Sequence, residues 1–321
     1  MDKPDFPLIW NDSLRSDWVS CPRAAYWGNF LDFKSPYPNV HLHAGKAWAT
    51  ALEVARMAFY GPDNLPQIDA QALGLQALIK EYGDFACPEF GSGSNKRLDR
   101  MMEAFAYYFQ AFPFDKDPVQ PMRKRDGSPM VEFNFALPID AKNLLHPQTG
   151  EPILYAGRAD MMATYAGSKS VYDDKTTSSL GASWGIQWQR RSQFSAYAWA
   201  AREYGMPISQ IVVRGIAILK TSINHQQVIT IRTDQHIEQW HKQVIRDIKH
   251  AIECWKEDYY DYNLSDSCGS YGGCHFLQPC MSHDPLPWLK GQFVRKHYDP
   301  ITRTETLVED DKPIIPIMPI E

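Results

Sequence analysis

Apolar positions recur at helical spacing through the first third of the chain and switch to a period of two near residue 130. The helical part predicts a helix over residues 14–30, capped by Asp12 or Ser13, then a proline-rich link at Ser35-Pro36-Tyr37-Pro38. Further helices are expected over 45–60, ending at Gly61-Pro62, over 71–82, and over 97–112 beyond the loose Gly91-Ser92-Gly93-Ser94 stretch. Val131-Glu132-Phe133-Asn134-Phe135-Ala136-Leu137 alternates and reads as a strand. Residues 153–165 and 169–177 predict two more, joined through a hairpin turn at Ala166-Gly167-Ser168. A helix over 184–204 stops at Gly205-Met206-Pro207, strands follow at 211–219 and 228–231, and Asp234 caps a helix reaching about 259. A helical layer, three strands, a helix, two strands and a helix make a mixed α/β core.

Length and composition narrow this picture without changing it. The 321 residues suffice for one large domain or a core with an accessory layer, and 44% apolar with 22% charged residues is ordinary for a globular protein. No apolar run reaches the ~18 residues of a membrane span, and Met1-Asp2-Lys3-Pro4-Asp5 lacks the order of a secretion signal, so the cytoplasm is expected. A net charge of −5 argues against a basic coat but leaves room for an acidic metal site inside a locally basic groove. Arg123-Lys124-Arg125, Lys96-Arg97 and Arg190-Arg191 are the local basic clusters, each of which alone reads as solvated surface. Among six cysteines, Cys268, Cys274 and Cys280 crowd into thirteen residues, which points to a metal or a cluster.

The chemistry sits on the expected hairpin. Side chains two apart share a strand face, so Asp173 and Lys175 project together, Asp174 points away, and Asp160 on the partner strand comes within reach. Two facing carboxylates repel unless a divalent cation lies between them, and Mg²⁺ suits oxygen ligands. Such a cation polarises a phosphoryl oxygen and activates water, while Lys175 orients that water, helps deprotonate it, or offsets charge developing in the transition state. On the next helix Gln193 and Tyr197 stand four apart on one face, with Gln189 and Arg190 one turn earlier, a polar stripe suited to DNA phosphates.

Gly157-Arg158-Ala159-Asp160, then Asp173-Asp174-Lys175-Thr176, then Gln193 and Tyr197, in that order, resembles the RecB-type nucleases of the PD-(D/E)XK superfamily, the phage-encoded and CRISPR-associated exonucleases in particular. Cys21-Pro22 after Ser13 and Trp18 resembles the N-terminal signature of the members that carry a cluster. The resemblance implies Asp160 and Asp173 as metal ligands, the backbone carbonyl of Asp174 as another, Lys175 as the catalytic lysine, and Gln193 and Tyr197 beside the substrate. It also implies that Cys21 joins Cys268, Cys274 and Cys280 around a [4Fe–4S] cluster acting as a structural staple. Zinc, with His275 as a substitute ligand, is the alternative. Cys87 and Cys254 read as ordinary buried or half-buried residues.

One position departs from the family. The histidine expected four residues after a helix-starting glycine is Ala49 here, counted from Gly45. Glu53, one turn further on the same face, offers a hard oxygen ligand, with His41 and His43 as weaker substitutes. The expected fold is a restriction-endonuclease-like core, a mixed sheet flanked by helices, with an N-terminal helical layer and an iron–sulfur clasp. Its expected parts are 1–125 (helical, contributing Cys21 and the metal-site helix), 126–260 (nuclease core) and 261–321 (clasp and tail). The expected activity is a Mg²⁺- or Mn²⁺-dependent exonuclease acting on single- or double-stranded DNA. The alternative is a catalytically silent nuclease-fold module that binds DNA or protein.

Overall fold

The computed structural model describes residues 3–37, 39–89, 92–264, 268–269 and 273–308, so the proline-rich end at 313–319 lies outside the described residues. In chain order the elements begin with β1 (Ile9–Trp10), α1 (Asp12–Ser20), α2 (Pro22–Ala25), β2 (Phe33–Lys34), α3 (Val40–Tyr60), α4 (Gln67–Tyr82) and α5 (Leu98–Ala111). Then come β3 (Gln120–Pro121), β4 (Val131–Pro138), β5 (Leu154–Tyr165), β6 (Ser168–Thr177), α6 (Ala182–Ile186), α7 (Ser192–Glu203), β7 (Gln210–Ile218) and β8 (Ile223–Ile231). The remainder is α8 (Asp234–Glu257), α9 (Leu277–Met281), α10 (Leu286–Gln292), β9 (Val294–Asp299) and β10 (Thr304–Leu307). Seven strands form one mixed sheet in the order β1-β5-β6-β7-β8, with β3 and β4 also on β5. Helices flank it, as the α/β expectation requires. The chain divides into two compact units.

One unit comprises residues 38–134 and 158–237. Asn39 starts α3 by accepting hydrogen bonds from the His41 and Leu42 amides, so the helix begins five residues before the expected Gly45. Ala44, Ala47, Ala51 and Ala55 are fully buried on α3. Their small side chains let α4 approach closely: a Cβ on Gly74 would lie 2.7 Å from the Ala51 carbonyl oxygen and 2.9 Å from the Ala55 Cβ. Leu78, Met101, Phe105, Tyr108, Ile216 and Ile218 fill the same core, tying the helical layer to β7. β7 runs parallel to β6 and antiparallel to β8, and its almost continuous burial matches its place between two strands.

The helix expected over 184–204 is broken. α6 gives way to a short 3₁₀ turn, and α7 starts at Ser192, so Gln189 and Arg190 stand outside it. The buried Arg232 guanidinium supplies a cause, donating to the Trp188 carbonyl at 2.7 Å and the Arg191 carbonyl at 3.3 Å, which a continuous helix would occupy itself.

The other unit comprises residues 3–37, 135–157, and the chain from 238 on. The helix expected over 14–30 also breaks. Cys21 takes extended backbone (φ −164°, ψ 110°) between α1 and α2 because the residue before a proline is pushed out of the helical region, and a π-helical turn (Tyr26–Phe30) follows. β1 pairs in parallel with the start of β5, Ile9 opposite Leu154, while β2, β9 and β10 make a separate antiparallel sheet. Aromatic rings dominate this core. Trp18 stacks on Phe30 at 6.0 Å, Tyr26 on Tyr260 at 3.8 Å, and Trp240 meets Tyr155 edge-on at 5.4 Å. No described helix is long and apolar enough to cross a membrane.

Candidate metal centre and cysteine clasp

The hairpin of β5 and β6 is closed by Ala166 and Gly167, both at positive φ (49° and 77°), the turn whose twist matches that of paired strands. That turn sets a register in which Met161 faces Tyr172, so Asp160 and Asp173 come next in line. Strand alternation then separates two kinds of chemistry. Asp173 and Lys175 share one face, where the Lys175 Nζ lies 2.5 Å from the Asp173 Oδ1. Tyr172 and Asp174 share the other, where the Tyr172 hydroxyl donates to the Asp174 Oδ1 at 2.7 Å. Asp160, across on β5, reaches the β6 backbone, its Oδ2 accepting the Asp174 amide at 2.8 Å.

The electrostatics on the first face are unusual. The Asp173 side chain is 1% exposed, and neither carboxylate oxygen finds a well-directed hydrogen-bond donor among the described residues. Burial pushes its pKa up to about 7, against the opposing pull of Lys175, with the Asp160 charge adding to the rise. Burial likewise raises Asp160, again opposed by Lys175. Burial alone would lower Lys175, but the charges of Asp173 and Asp160 outweigh it and raise the ammonium pKa. Lys175 keeps 28% of its side chain exposed, so the cluster is reached from its side. Arg191 lies near enough for its charge to act on Lys175.

Behind the strand, Asp174 is held by Arg56 of α3, which also donates to the Tyr108 hydroxyl at 3.0 Å. Tyr108 meets Tyr172 at 3.1 Å, and Arg214 pairs with both oxygens of Asp117 at 2.7 and 3.0 Å. This buried network was not foreseen from the sequence. Its one visible signal is an arginine embedded among Ala51, Leu52 and Ala55, since a buried charge needs a partner. Lys96 also departs from its reading as surface: it is 3% exposed and donates to the Thr176 hydroxyl at 3.0 Å. Burial lowers its pKa to about 8.

The remaining expected residues fall as follows. The Gln193 amide donates to the Tyr197 hydroxyl at 2.7 Å along one face of α7. Glu53 is half-buried on α3, one turn before Arg56, and no hydrogen bond or ion pair joins it to Asp160, Asp173 or Lys175 among the described residues. The His43 ring is engaged elsewhere, 2.8 Å from the Tyr82 carbonyl and stacked on Phe85 at 4.2 Å.

In the other unit the fold gathers Cys21, Cys268, Cys274 and Cys280. All four are free thiols. Burial raises Cys280, Arg23 pulls it down, and the charges of Cys21, Cys268 and Cys274 raise it further. The Cys274 amide donates to the Cys268 carbonyl at 2.9 Å, and the Cys280 amide closes the turn of α9 by donating to the Phe276 carbonyl at 2.9 Å. Residues 270–272 between them lie outside the described residues. Phe276 anchors the segment, stacked on Phe293 at 4.8 Å and packed against Trp27 at 5.6 Å.

No protein-family model matches the chain. No curated protein matches it in sequence either. Among solved structures, a protein of Eubacterium rectale provisionally named an exonuclease matches over 83% of this chain and 89% of its own, at 12% identity and a TM-score of 0.46. The structure of a protein designated SSO0001 matches over 64% of this chain and 74% of its own, at 14% identity and a TM-score of 0.27. The case for this chain's chemistry therefore rests on its own residues.

Proposed function

We propose that the chain is a Mg²⁺- or Mn²⁺-dependent deoxyribonuclease of the PD-(D/E)XK type, working as an exonuclease, with a [4Fe–4S] cluster on its cysteine clasp. The observation that carries this reading is Asp173: a buried carboxylate in reach of Lys175 alone, with no well-directed donor on either oxygen among the described residues, beside the half-buried Asp160. Holding that charge without a cation costs on the order of 4 kcal/mol, given a rise from 3.8 to about 7. A hard divalent cation bound by Asp160, Asp173 and the Asp174 carbonyl removes that cost, so the donor set fits the ion. When bound, it supplies a Lewis acid for the phosphoryl oxygen and lowers the pKa of a water.

The protein's own groups do the rest. Lys175, whose ammonium lies beside Asp173 and stays partly exposed, offers positive charge toward the phosphate. Arg191, exposed ahead of α7, adds attraction for the DNA backbone, and the half-buried Gln193, held by the buried Tyr197 hydroxyl, adds a polar group on that helix. Arg56 fixes Asp174 from behind and so steadies the strand carrying both neighbours. Glu53, half-buried on α3, completes the metal site directly or through a water, as a hard oxygen ligand. Its test is Glu53→Gln, expected to cost about tenfold in rate at limiting metal, as outer ligands do. His43→Ala, whose ring is committed to Tyr82 and Phe85, should cost little.

For the clasp, Cys21 and Cys268 lie close enough to raise the pKa of both Cys274 and Cys280, a proximity that suits a shared cofactor. The activity is tested with end-labelled single- and double-stranded DNA, with and without Mg²⁺. Loss of label as mononucleotides supports the reading. Uncut DNA with every divalent metal tried would leave a silent binding module.

A further inference from the structure

α8 ends in a stop that turns the chain back along the helix. The Tyr259 amide donates to the Cys254 carbonyl at 3.1 Å and the Asp258 amide to Trp255 at 3.3 Å, with Asp258 at φ 53°. This is the paired closure of a helix around a left-handed residue, a place glycine usually fills and aspartate tolerates. The turn brings Asp261 back to His250 and Cys254, four residues apart on one helix face. The His250 Nε2 lies 2.9 Å from the Asp261 Oδ2 and 3.4 Å from the Cys254 Sγ, and the three atoms lie within 4.8 Å of one another.

A single ring nitrogen cannot serve both neighbours. A protonated Nε2 donates to Asp261 and then has no lone pair for the Cys254 thiol. A bare Nε2 accepts from the thiol, and its lone pair then confronts the carboxylate. With Nε2 protonated the pair is His250 with Asp261, and the Cys254 sulfur has the Asp261 backbone beside it, whereas one cation at their focus would engage all three side chains together. The spacing suits zinc, whose tetrahedral ligands at ~2.0 Å for nitrogen and ~2.3 Å for sulfur lie roughly 3.3–3.7 Å apart. Imidazole, thiolate and carboxylate are also the donors zinc takes. Cys254 is 5% exposed, while the His250 and Asp261 side chains are 44% and 49% exposed, which opens a fourth position to water. Burial pushes the Cys254 thiol up to about 11, so it is a neutral thiol until a cation deprotonates it.

We propose that His250, Cys254 and Asp261 form a zinc-binding site, apart from the cysteine clasp, that pins the chain after α8 to the helix. The pinned segment has work to do. The Asp261 carbonyl accepts the Arg23 amide at 3.1 Å, the Tyr260 carbonyl accepts the Arg23 side chain at 3.3 Å, and Tyr260 stacks on Tyr26. Zinc here therefore steadies the seat of α2, directly after Cys21.

The test equilibrates the full chain with Zn²⁺, removes free metal by desalting, and counts what stays bound, with Co²⁺ as an optical probe in parallel. The wild type should retain about one zinc per chain more than Cys254→Ala or Asp261→Ala, and the same difference should persist in a Cys274→Ser background. The Co²⁺ difference spectrum should contain a thiolate charge-transfer band that Cys254→Ala lacks. Asp261→Ala alters a half-exposed side chain and keeps the test alive if Cys254→Ala does not fold. Equal zinc retention in wild type and Asp261→Ala would overturn the proposal and leave a His–Asp ion pair beside a buried thiol.

Discussion

Asp160 and Asp173 stand thirteen residues apart and meet because a two-residue turn sets the register of their strands. Cys21 and Cys268 are separated by roughly 250 residues, and it is an aromatic core that draws their two chain segments together. The first arrangement needs only local structure, so its residues are free to be poor for stability, as Asp173 shows, buried beside a second carboxylate with Lys175 as its counter-charge. The second closes a very long loop, so whatever links the thiols acts mainly on stability. The hairpin should therefore fail in activity and the clasp in folding.

The largest expected effect is on the hairpin. Asp160→Ala should lower cleavage by roughly a thousandfold or more, and Lys175→Ala by a similar factor with metal binding mostly kept. The melting temperature of the Asp160 variant should hold or rise, because a buried like-charge contact is relieved. A large fall in melting temperature would mean that Asp160 is a structural residue.

Arg56→Ala sharpens the comparison because it strikes the other face of the same strand. It strands the Asp174 carboxylate in the core and should cost about 3–5 kcal/mol, read by urea unfolding. A loss below about 1 kcal/mol would show that Tyr172 alone satisfies Asp174.

At the clasp, anaerobically purified protein should be brown and carry about four irons. Cys21→Ser should lose that colour and about 2–5 kcal/mol of stability, by analogy with loss of a long-loop cross-link. Cleavage per folded molecule should stay near wild type. Colourless wild type with about one zinc on the clasp would favour the smaller ion.

The smallest effect is a pH dependence. Asp173 keeps its proton in the folded chain up to about pH 7 but loses it near 3.8 when unfolded, so the cation-free fold binds more protons and loses stability as pH rises between them. Metal must displace that proton. Mn²⁺ affinity, measured by calorimetry, should therefore be about tenfold weaker at pH 6 than at pH 8 and level off above. A flat profile over that range would place Asp173 outside the ligand set.

What the sequence disclosed follows the same division. The hairpin was legible because period-two alternation and the Ala166-Gly167 turn are local signals, and they placed Asp173 and Lys175 on one face as found. The break at Cys21 is also local, written in Pro22, though the apolar spacing hid it. The break before Ser192 had no local sign, because Arg232, some 40 residues on, takes the carbonyls. Arg56 opposite Asp174 and His250 beside Asp261 escaped notice for the same reason: a charge or ring on a helix does not say which loop returns to it.

The most direct test of the account compares wild type with Asp173→Ala on end-labelled DNA, at equal concentrations of folded protein, in Mg²⁺ and again in excess chelator. Wild type should cleave in Mg²⁺ alone, and the variant in neither condition. Cleavage by Asp173→Ala at the wild-type rate, or by wild type in chelator, would contradict it.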